Sequence, residues 1–274
     1  MSNKRYKPVT PGMRNKIGSD TSIITVTKPR KALLKSNKKS SGRNNKGNIT
    51  VLHHGGGVKR RFRKLDFKRK ATADGVVESI EYDPNRSAHI CLVKFSNGDW
   101  QYLLAPKGIS VGDPIQTGDD ADINIGSSMK LSKLPVGSLI HNIELLPGKG
   151  GQLVRSAGVA ALLMAKSSRY ATIKLPSGEV RLVLLECTAT YGRLSNEKQS
   201  NSRRGKAGIT RKLGIRPTVR GAAKNRNDHC HGGGEGRAPV GLSEPRTAYG
   251  KKANIKTRRR KIRKFKYIVK ARKA

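Results

Sequence analysis

The chain has 274 residues, with 58 Lys and Arg against 18 Asp and Glu, and a formal net charge of +40. Its three cysteines, Cys91, Cys187 and Cys230, are odd in number and far apart, which argues against a disulfide framework and for a reducing compartment. The longest apolar runs, Gly158–Ala165 and Leu182–Leu185, are far too short to span a bilayer. No secretory signal and no amphipathic membrane anchor are expected either.

The charge is partitioned. Residues 1–70 carry net +19, residues 71–200 are neutral, and residues 201–274 carry +21. A neutral body between two cationic arms repels itself when compact, and nucleic acid is the polyanion dense enough to neutralise it. The arms are rich in Lys, Arg, Gly, Asn and Ser, and that composition is expected to order only on a partner.

In chain order, residues 37–57 read as irregular, with a short strand at Ile49–Leu52. His53-His54-Gly55-Gly56-Gly57 follows, a backbone free enough to lie close against a ligand, and then the basic run 59–64. From Ala73 the texture becomes short β runs. Gly75–Tyr82, His89–Phe95 and Trp100–Leu104 are expected strands, the last two joined by an Asn97-Gly98 hairpin, and Val111–Ile115 follows. The roughly ten-residue interval suggests a small barrel. A second set comprises Ser138–Leu145, Gly158–Lys166, Tyr170–Leu175 and Glu179–Glu186, although Gly158–Met164 is ambiguous between strand and helical turn. Beyond Tyr191 the chain is basic and irregular again. The tail 251–274 holds 13 bases and no acid; Phe265, Tyr267, Ile268 and Val269 suggest an ordered patch or short strand within it, where a nuclear-localisation signal is the plainer reading.

The most specific element is the loop from Val219 to Arg237. It is too polar for a core and too rich in glycine for a regular element. Arg220, Lys224, Asn225, Arg226, His229, His231 and Arg237 suit phosphate, ribose and base contacts, around Gly232, Gly233 and Gly234. Asp228-His229-Cys230-His231 also offers zinc ligands and a thiol beside imidazoles. Four adjacent residues close a tetrahedron poorly, and neighbours in sequence seldom face each other as nucleophile and base, so neither a metal nor catalysis is expected. Pro147-Gly-Lys-Gly-Gly-Gln lacks the P-loop spacing, and Lys149 suits an RNA phosphate better than a nucleotide.

Taken in order, Gly42-Arg-Asn-Asn-Lys-Gly, His53 with Gly55-Gly-Gly, Asp66-Phe-Lys-Arg, Glu81-Tyr-Asp-Pro-Asn-Arg-Ser-Ala, Leu104-Ala-Pro-Lys-Gly, Pro135-Val-Gly-Ser, Pro147-Gly-Lys-Gly-Gly-Gln-Leu-Val-Arg-Ser-Ala-Gly, Gly205-Lys-Ala-Gly, Arg216-Pro-Thr-Val-Arg-Gly and His231-Gly-Gly-Gly-Glu-Gly-Arg closely resemble the bacterial-type large-subunit ribosomal protein L2 family. The resemblance spans nearly the whole chain. It implies a mainly β fold, an OB-like barrel (residues 73–125) followed by an SH3-like barrel (126–198), between basic extensions (1–72 and 199–274). It implies no cofactor, no enzymatic chemistry, no small-molecule substrate and no membrane. The implied partners are large-subunit rRNA, the small subunit at the intersubunit face and neighbouring ribosomal proteins, in bacterial cytoplasm or plastid stroma. The implied rRNA contacts are Arg43, Lys46, His53, Gly55, Gly56, Gly57, Lys59, Arg60, Arg63, Lys68 and Arg69 in the N-terminal part. In the body they are Asn85, Arg86, Lys107, Lys149, Gly150, Gln152 and Arg155. In the C-terminal part they are Lys206, Arg216, Arg220, Asn225, His229, His231, Gly232, Gly233, Gly234 and Arg237. The chain departs from the pattern at Cys230, where the family usually has Pro, and at His54, Val58, Lys212-Leu213 and Tyr249. A general nucleic-acid compaction protein shares the charge, and a His/Cys enzyme is the remaining alternative.

Overall fold

Alternating and continuous apolar runs make strands here because β-branched and aromatic side chains fit a pleated, buried surface. The computed structural model describes residues 3–69, 74–255 and 266–272. The strands are β1 (Lys4–Arg5), β2 (Ile17–Gly18), β3 (Leu34–Ser36), β4 (Arg61–Arg63), β5 (Gly75–Glu81), β6 (Ile90–Phe95), β7 (Trp100–Leu104) and β8 (Pro114–Ile115). They continue with β9 (Ser128–Lys130), β10 (Leu139–His141), β11 (Ala161–Lys166), β12 (Tyr170–Lys174), β13 (Val180–Leu184), β14 (Thr188–Tyr191) and β15 (Ile268–Lys270). Among the described residues, α-helix is confined to Pro11–Arg14 and Ala207–Lys212, and no helix is long and apolar enough to cross a membrane.

The chain forms two compact units, one of residues 1–38, 59–207 and 266–274, the other of residues 39–58 and 208–265. The first holds both principal sheets. One is antiparallel in the order β7-β6-β5-β8, and the other is antiparallel in the order β15-β13-β12-β11-β10-β14-β9. The architecture is mainly β, an OB-like barrel followed by an SH3-like barrel, with long basic extensions of irregular structure.

In the first sheet the register runs Gly75↔Phe95 to Glu81↔Ile90, with a bulge between Val77 and Ser79 that curves the sheet. β6 is buried on both faces. Cys91, Val93 and Phe95 pack with Val77, Ile80, Leu103, Ile109 and Ile115, while Ile90 and Leu92 pack with Tyr102, Leu33 and Leu65 on the other side. That is why Ile90-Cys-Leu-Val reads as an unbroken apolar run. The second sheet surrounds Met129, Leu131, Leu134, Ile140, Ile143, Leu163, Ile173 and Val183.

Segments expected to be irregular are tied to this body. The Thr25 amide donates to the Ile80 carbonyl, and Thr25 Oγ1 accepts the Ile80 amide. Tyr102 Oη, fully buried, donates to Glu81 Oε2 at 2.7 Å and accepts the Arg30 amide at 2.9 Å. Burial raises the Glu81 carboxyl above its ordinary range, against the pull of Tyr102 and Ser79.

The expected strand at Ile49–Leu52 is only a bridge, Arg43↔Ile49. Asn44 Oδ1 accepts the Lys46 and Asn48 amides and closes a tight turn there, which competes with strand pairing. Ser138–Leu145 shortens to β10, since Asn142 takes a positive φ and Ile143 pairs back to Leu153. Gly158–Lys166 resolves as strand from Ala161. β9 and β14, absent from the sequence reading, pair with each other. Ile268 and Val269 fulfil the short-strand expectation, since β15 pairs with β13; Tyr267 lies in the turn before it, and Phe265 lies outside the described residues.

His141 is fully buried, with Nδ1–H donating to the Gly192 carbonyl at 2.8 Å and Nε2 without a partner. Burial is the main force pushing its pKa down to about 4, and the Arg69 charge adds to it. The folded state therefore refuses a proton that the unfolded chain accepts below about pH 6.5. Stability should fall as the pH drops from about 6.5 to about 4 and then level, by up to about 3 kcal/mol from this group. Urea midpoints against pH should show this fall, and His141→Asn should reduce it; an equal fall in the variant would remove His141 as the cause.

Candidate nucleic-acid interface

Three separate segments of the first unit meet at one aromatic ring. Phe67 is held in place because its carbonyl accepts the Gly151 amide at 2.8 Å and the neighbouring Asp66 amide donates to the Tyr102 carbonyl. The Arg155 guanidinium lies 4.5 Å from the ring centroid, and that of Arg86 lies 5.5 Å away. Arg155 also donates to the Gly151 carbonyl, and Arg86 to Asp83 Oδ2 at 2.6 Å. Asp83 is fully buried and also accepts the Asn85 amide, so it fixes the turn that carries Asn85 and Arg86. Asn85 Nδ2 donates to the Arg61 carbonyl and Arg60 to the Pro84 carbonyl. The pKa of Arg155 is lowered, first by desolvation and then by the charge of Arg86. Two guanidiniums held this near each other form a preorganised seat for an anion such as a phosphate.

The glycine loop is shaped from below. Glu144, almost fully buried, accepts the Gly150 amide at 2.7 Å and the Thr188 amide at 3.0 Å. This holds the 148–152 turn, leaving Lys149 exposed at its tip and Gln152 half-buried. Lys68 is exposed beside Gly150. The structure thus brings together Arg60, Lys68, Asn85, Arg86, Lys149, Gly150, Gln152 and Arg155 from the sequence reading.

Two expected contacts turn inward instead. Arg69 directs its guanidinium to Thr117 Oγ1 and to the carbonyls of Gln116 and Gly126, across five hydrogen bonds. Desolvation draws its pKa down to about 10, still protonated at neutral pH. Arg63 is 8% exposed and donates to the Arg61 carbonyl. Both guanidiniums are thereby directed to the chain's own carbonyls and to Thr117 rather than to the surface. Lys107 is exposed and pairs with Glu197 at 2.7 Å. Lys206 is exposed.

In the second unit, His53–Val58 lines up with Lys212–Arg216. The Gly55 amide donates to the Gly214 carbonyl, Val58 to Lys212, and Arg216 to His53. A Cβ on Gly57 would sit 2.6 Å from the Gly214 nitrogen and the Lys212 oxygen. Close approach of chain to chain, rather than to a ligand, therefore demands glycine at 57. Gly56 remains exposed. Arg43 is exposed and donates to the Gly47 carbonyl; Lys46, Lys59 and the Arg216 side chain are exposed as well.

The 220–233 loop is a hydrogen-bonded coil. The Asn225 carbonyl accepts the Asp228 and His229 amides, and the Lys224 carbonyl accepts that of Gly233. His229 Nδ1 accepts the His231 amide, and His231 Nε2 accepts the Arg246 amide. The pKa of His229 is lowered, by desolvation first. A Cβ on Gly221 would fall 2.5 Å from the His229 ring, so that glycine seats the imidazole. Gly232 is buried against the loop, while Arg220, Asn225, Gly233, Gly234 and Arg237 are exposed. Phe67, Glu144, Gly221 and Arg246 were not among the expected contacts, although Phe67 and Gly221 lie within motifs that carry the family resemblance.

Two family models match the chain. One, described as Ribosomal Proteins L2, RNA binding N-terminal domain, covers residues 30–117. The other, described as Ribosomal Proteins L2, C-terminal domain, covers residues 124–250.

If Phe67 is the platform for the two arginines, Phe67→Leu should keep the fold and weaken RNA binding about 3- to 10-fold, the scale of one or two partly exposed cation–π contacts. Calorimetric titration with an RNA fragment measures this, and unchanged affinity would sink the platform role.

Proposed function

This chain belongs to the ribosomal protein L2 family, and we propose that the RNA it binds as a large-subunit ribosomal protein is 23S-type rRNA. Its proposed role is to support subunit association and assembly of the peptidyl-transferase region. Peptidyl transfer itself is left to the RNA, and the protein is a structural component. The observation that carries this reading is the Arg86–Phe67–Arg155 constellation, mounted on a barrel by buried Asp83 and Glu144. A protein that only neutralises charge has no need to lock guanidiniums on a ring.

The mechanism follows from the chemistry. Exposed Lys and Arg neutralise phosphates and release counterions. Locked loops supply shape, which is how RNA is recognised when its major groove is too narrow to read. The barrels, residues 73–125 and 126–198, act as mounts for the extensions 1–72 and 199–274. In this reading the chain also touches the small subunit at the intersubunit face and neighbouring ribosomal proteins, in bacterial cytoplasm or plastid stroma. The loop bearing His229 and His231 lies among rRNA helices.

General compaction of nucleic acid is the second reading, favoured by the +40 charge alone. Salt separates the two. Affinity for duplex DNA should collapse by about 10³ or more between low and moderate salt, while preference for the large-subunit rRNA fragment persists. Loss of that preference would favour compaction. The same titration tests the division of arginines. Arg155→Met should reduce the log–log salt slope by about 1, whereas Arg69→Met should lower stability and leave the slope unchanged. A slope changed by Arg69→Met and not by Arg155→Met would overturn the assignment.

A further inference from the structure

Three ligand-bearing side chains of the second unit stand together: His229, Cys230 and His231. One nitrogen from each imidazole and Cys230 Sγ all lie within 4.8 Å of one another. Sγ is 3.8 Å from His229 Nδ1. A zinc ion bound at about 2.3 Å to sulfur and about 2.0–2.1 Å to nitrogen holds such a pair about 3.6 Å apart in a tetrahedron. That pair is already near ligand spacing. The remaining separations, at most 4.8 Å, have up to about 1.5 Å to close, within the reach of side-chain torsions.

Adjacency in sequence argues against such a site, and the backbone removes the objection. The His231 amide bonds to His229 Nδ1 at 3.0 Å, so the chain turns back over its own imidazole. The Gly232 amide then bonds to the His229 carbonyl and completes the turn. The two rings come to 4.6 Å between centroids, tilted by 54°. Each ring presents a lone pair, His229 Nδ1 to the His231 amide and His231 Nε2 to the Arg246 amide at 2.9 Å. These ring nitrogens act as acceptors, the role a metal ligand needs, and a cation would take the place of an amide proton. The contacts of the Cys230 thiol are long, 3.6 Å to the Thr247 carbonyl and 3.8 Å to His229 Nδ1.

We propose that His229, Cys230 and His231 form a binding site for a borderline-soft divalent cation, Zn²⁺ foremost, with two imidazole nitrogens and one thiolate as protein ligands and a fourth position open to water. Binding releases the Cys230 thiol proton to solvent, so affinity rises with pH. Nothing in this chemistry needs RNA, and the site stands or falls apart from the rRNA reading.

Cobalt reports it directly. The reduced, chelator-stripped full chain, free of RNA, is titrated with Co²⁺. One equivalent should saturate a near-ultraviolet thiolate-to-cobalt band together with visible bands of tetrahedral intensity, and Zn²⁺ should bleach both. Cys91 and Cys187 are buried, with thiols pushed up to about 12 and about 11 by burial, so the thiolate band reports Cys230. Cys230→Ser should abolish the band, and His229→Ala and His231→Ala should each weaken Co²⁺ binding at least ~10-fold. No stoichiometric band in the unmodified chain overturns the proposal without recourse to any variant. So does a band that survives Cys230→Ser, or Co²⁺ affinity indifferent to both histidine changes.

Discussion

Uncompensated positive charge is the constraint on which everything else in this molecule rests. Eighteen acids face 58 bases, and the structure does not use the acids to quench the surface. Among the described residues the side-chain ion pairs include those at Asp83, Asp119, Glu197 and Glu244. All but the first are solvent-exposed pairs, of a kind worth little. The buried acids do different work. Glu81 orders Tyr102, Asp83 orders the Asn85–Arg86 turn, and Glu144 orders the 148–152 turn. These few buried carboxylates fix strands and turns by hydrogen bonds, while most of the cationic charge stays on the surface for a polyanion to relieve.

The barrels were legible because their signals are local. Apolar alternation, an Asn-Gly hairpin and turn formers at regular spacing placed β5, β6, β7, β12 and β13 within a residue or two. β9 and β14 were missed because strands of three and four residues leave too short a period to read. The Ile49–Leu52 error has a different origin. There the apolar residues pointed to a strand, but Asn44 offered the backbone a competing turn.

The site was legible as a set of residues and not as an arrangement. Basic side chains in glycine-rich surroundings could be picked out, and the guanidiniums of Arg86 and Arg155 both lie at the Phe67 ring. Arg63 and Arg69 show the limit. In sequence they are indistinguishable from Arg60 and Lys68, for a basic run carries no mark of which members face a carbonyl cage. For Arg69 the partners that decide it, Thr117 and Gly126, lie some 50 residues away. Gly57 was read correctly as a place of close approach, but the approaching surface is the chain's own backbone at Gly214.

These particulars change what the two arms are. Residues 39–58 and 208–265 form one compact unit, with Gly55, Val58 and Arg216 hydrogen-bonded across sequence separations of more than 150 residues. A cationic N-terminal segment and a cationic C-terminal segment therefore share a backbone ladder in spite of their like charge. The ladder is made where side chains are absent or point away, at Gly55, Gly57 and Gly214, so that the arginines and lysines around it stay outward. Glycine here serves electrostatics as much as conformation: it lets two positively charged strands of chain approach without bringing their charges together, and it leaves those charges turned toward the phosphate that both require.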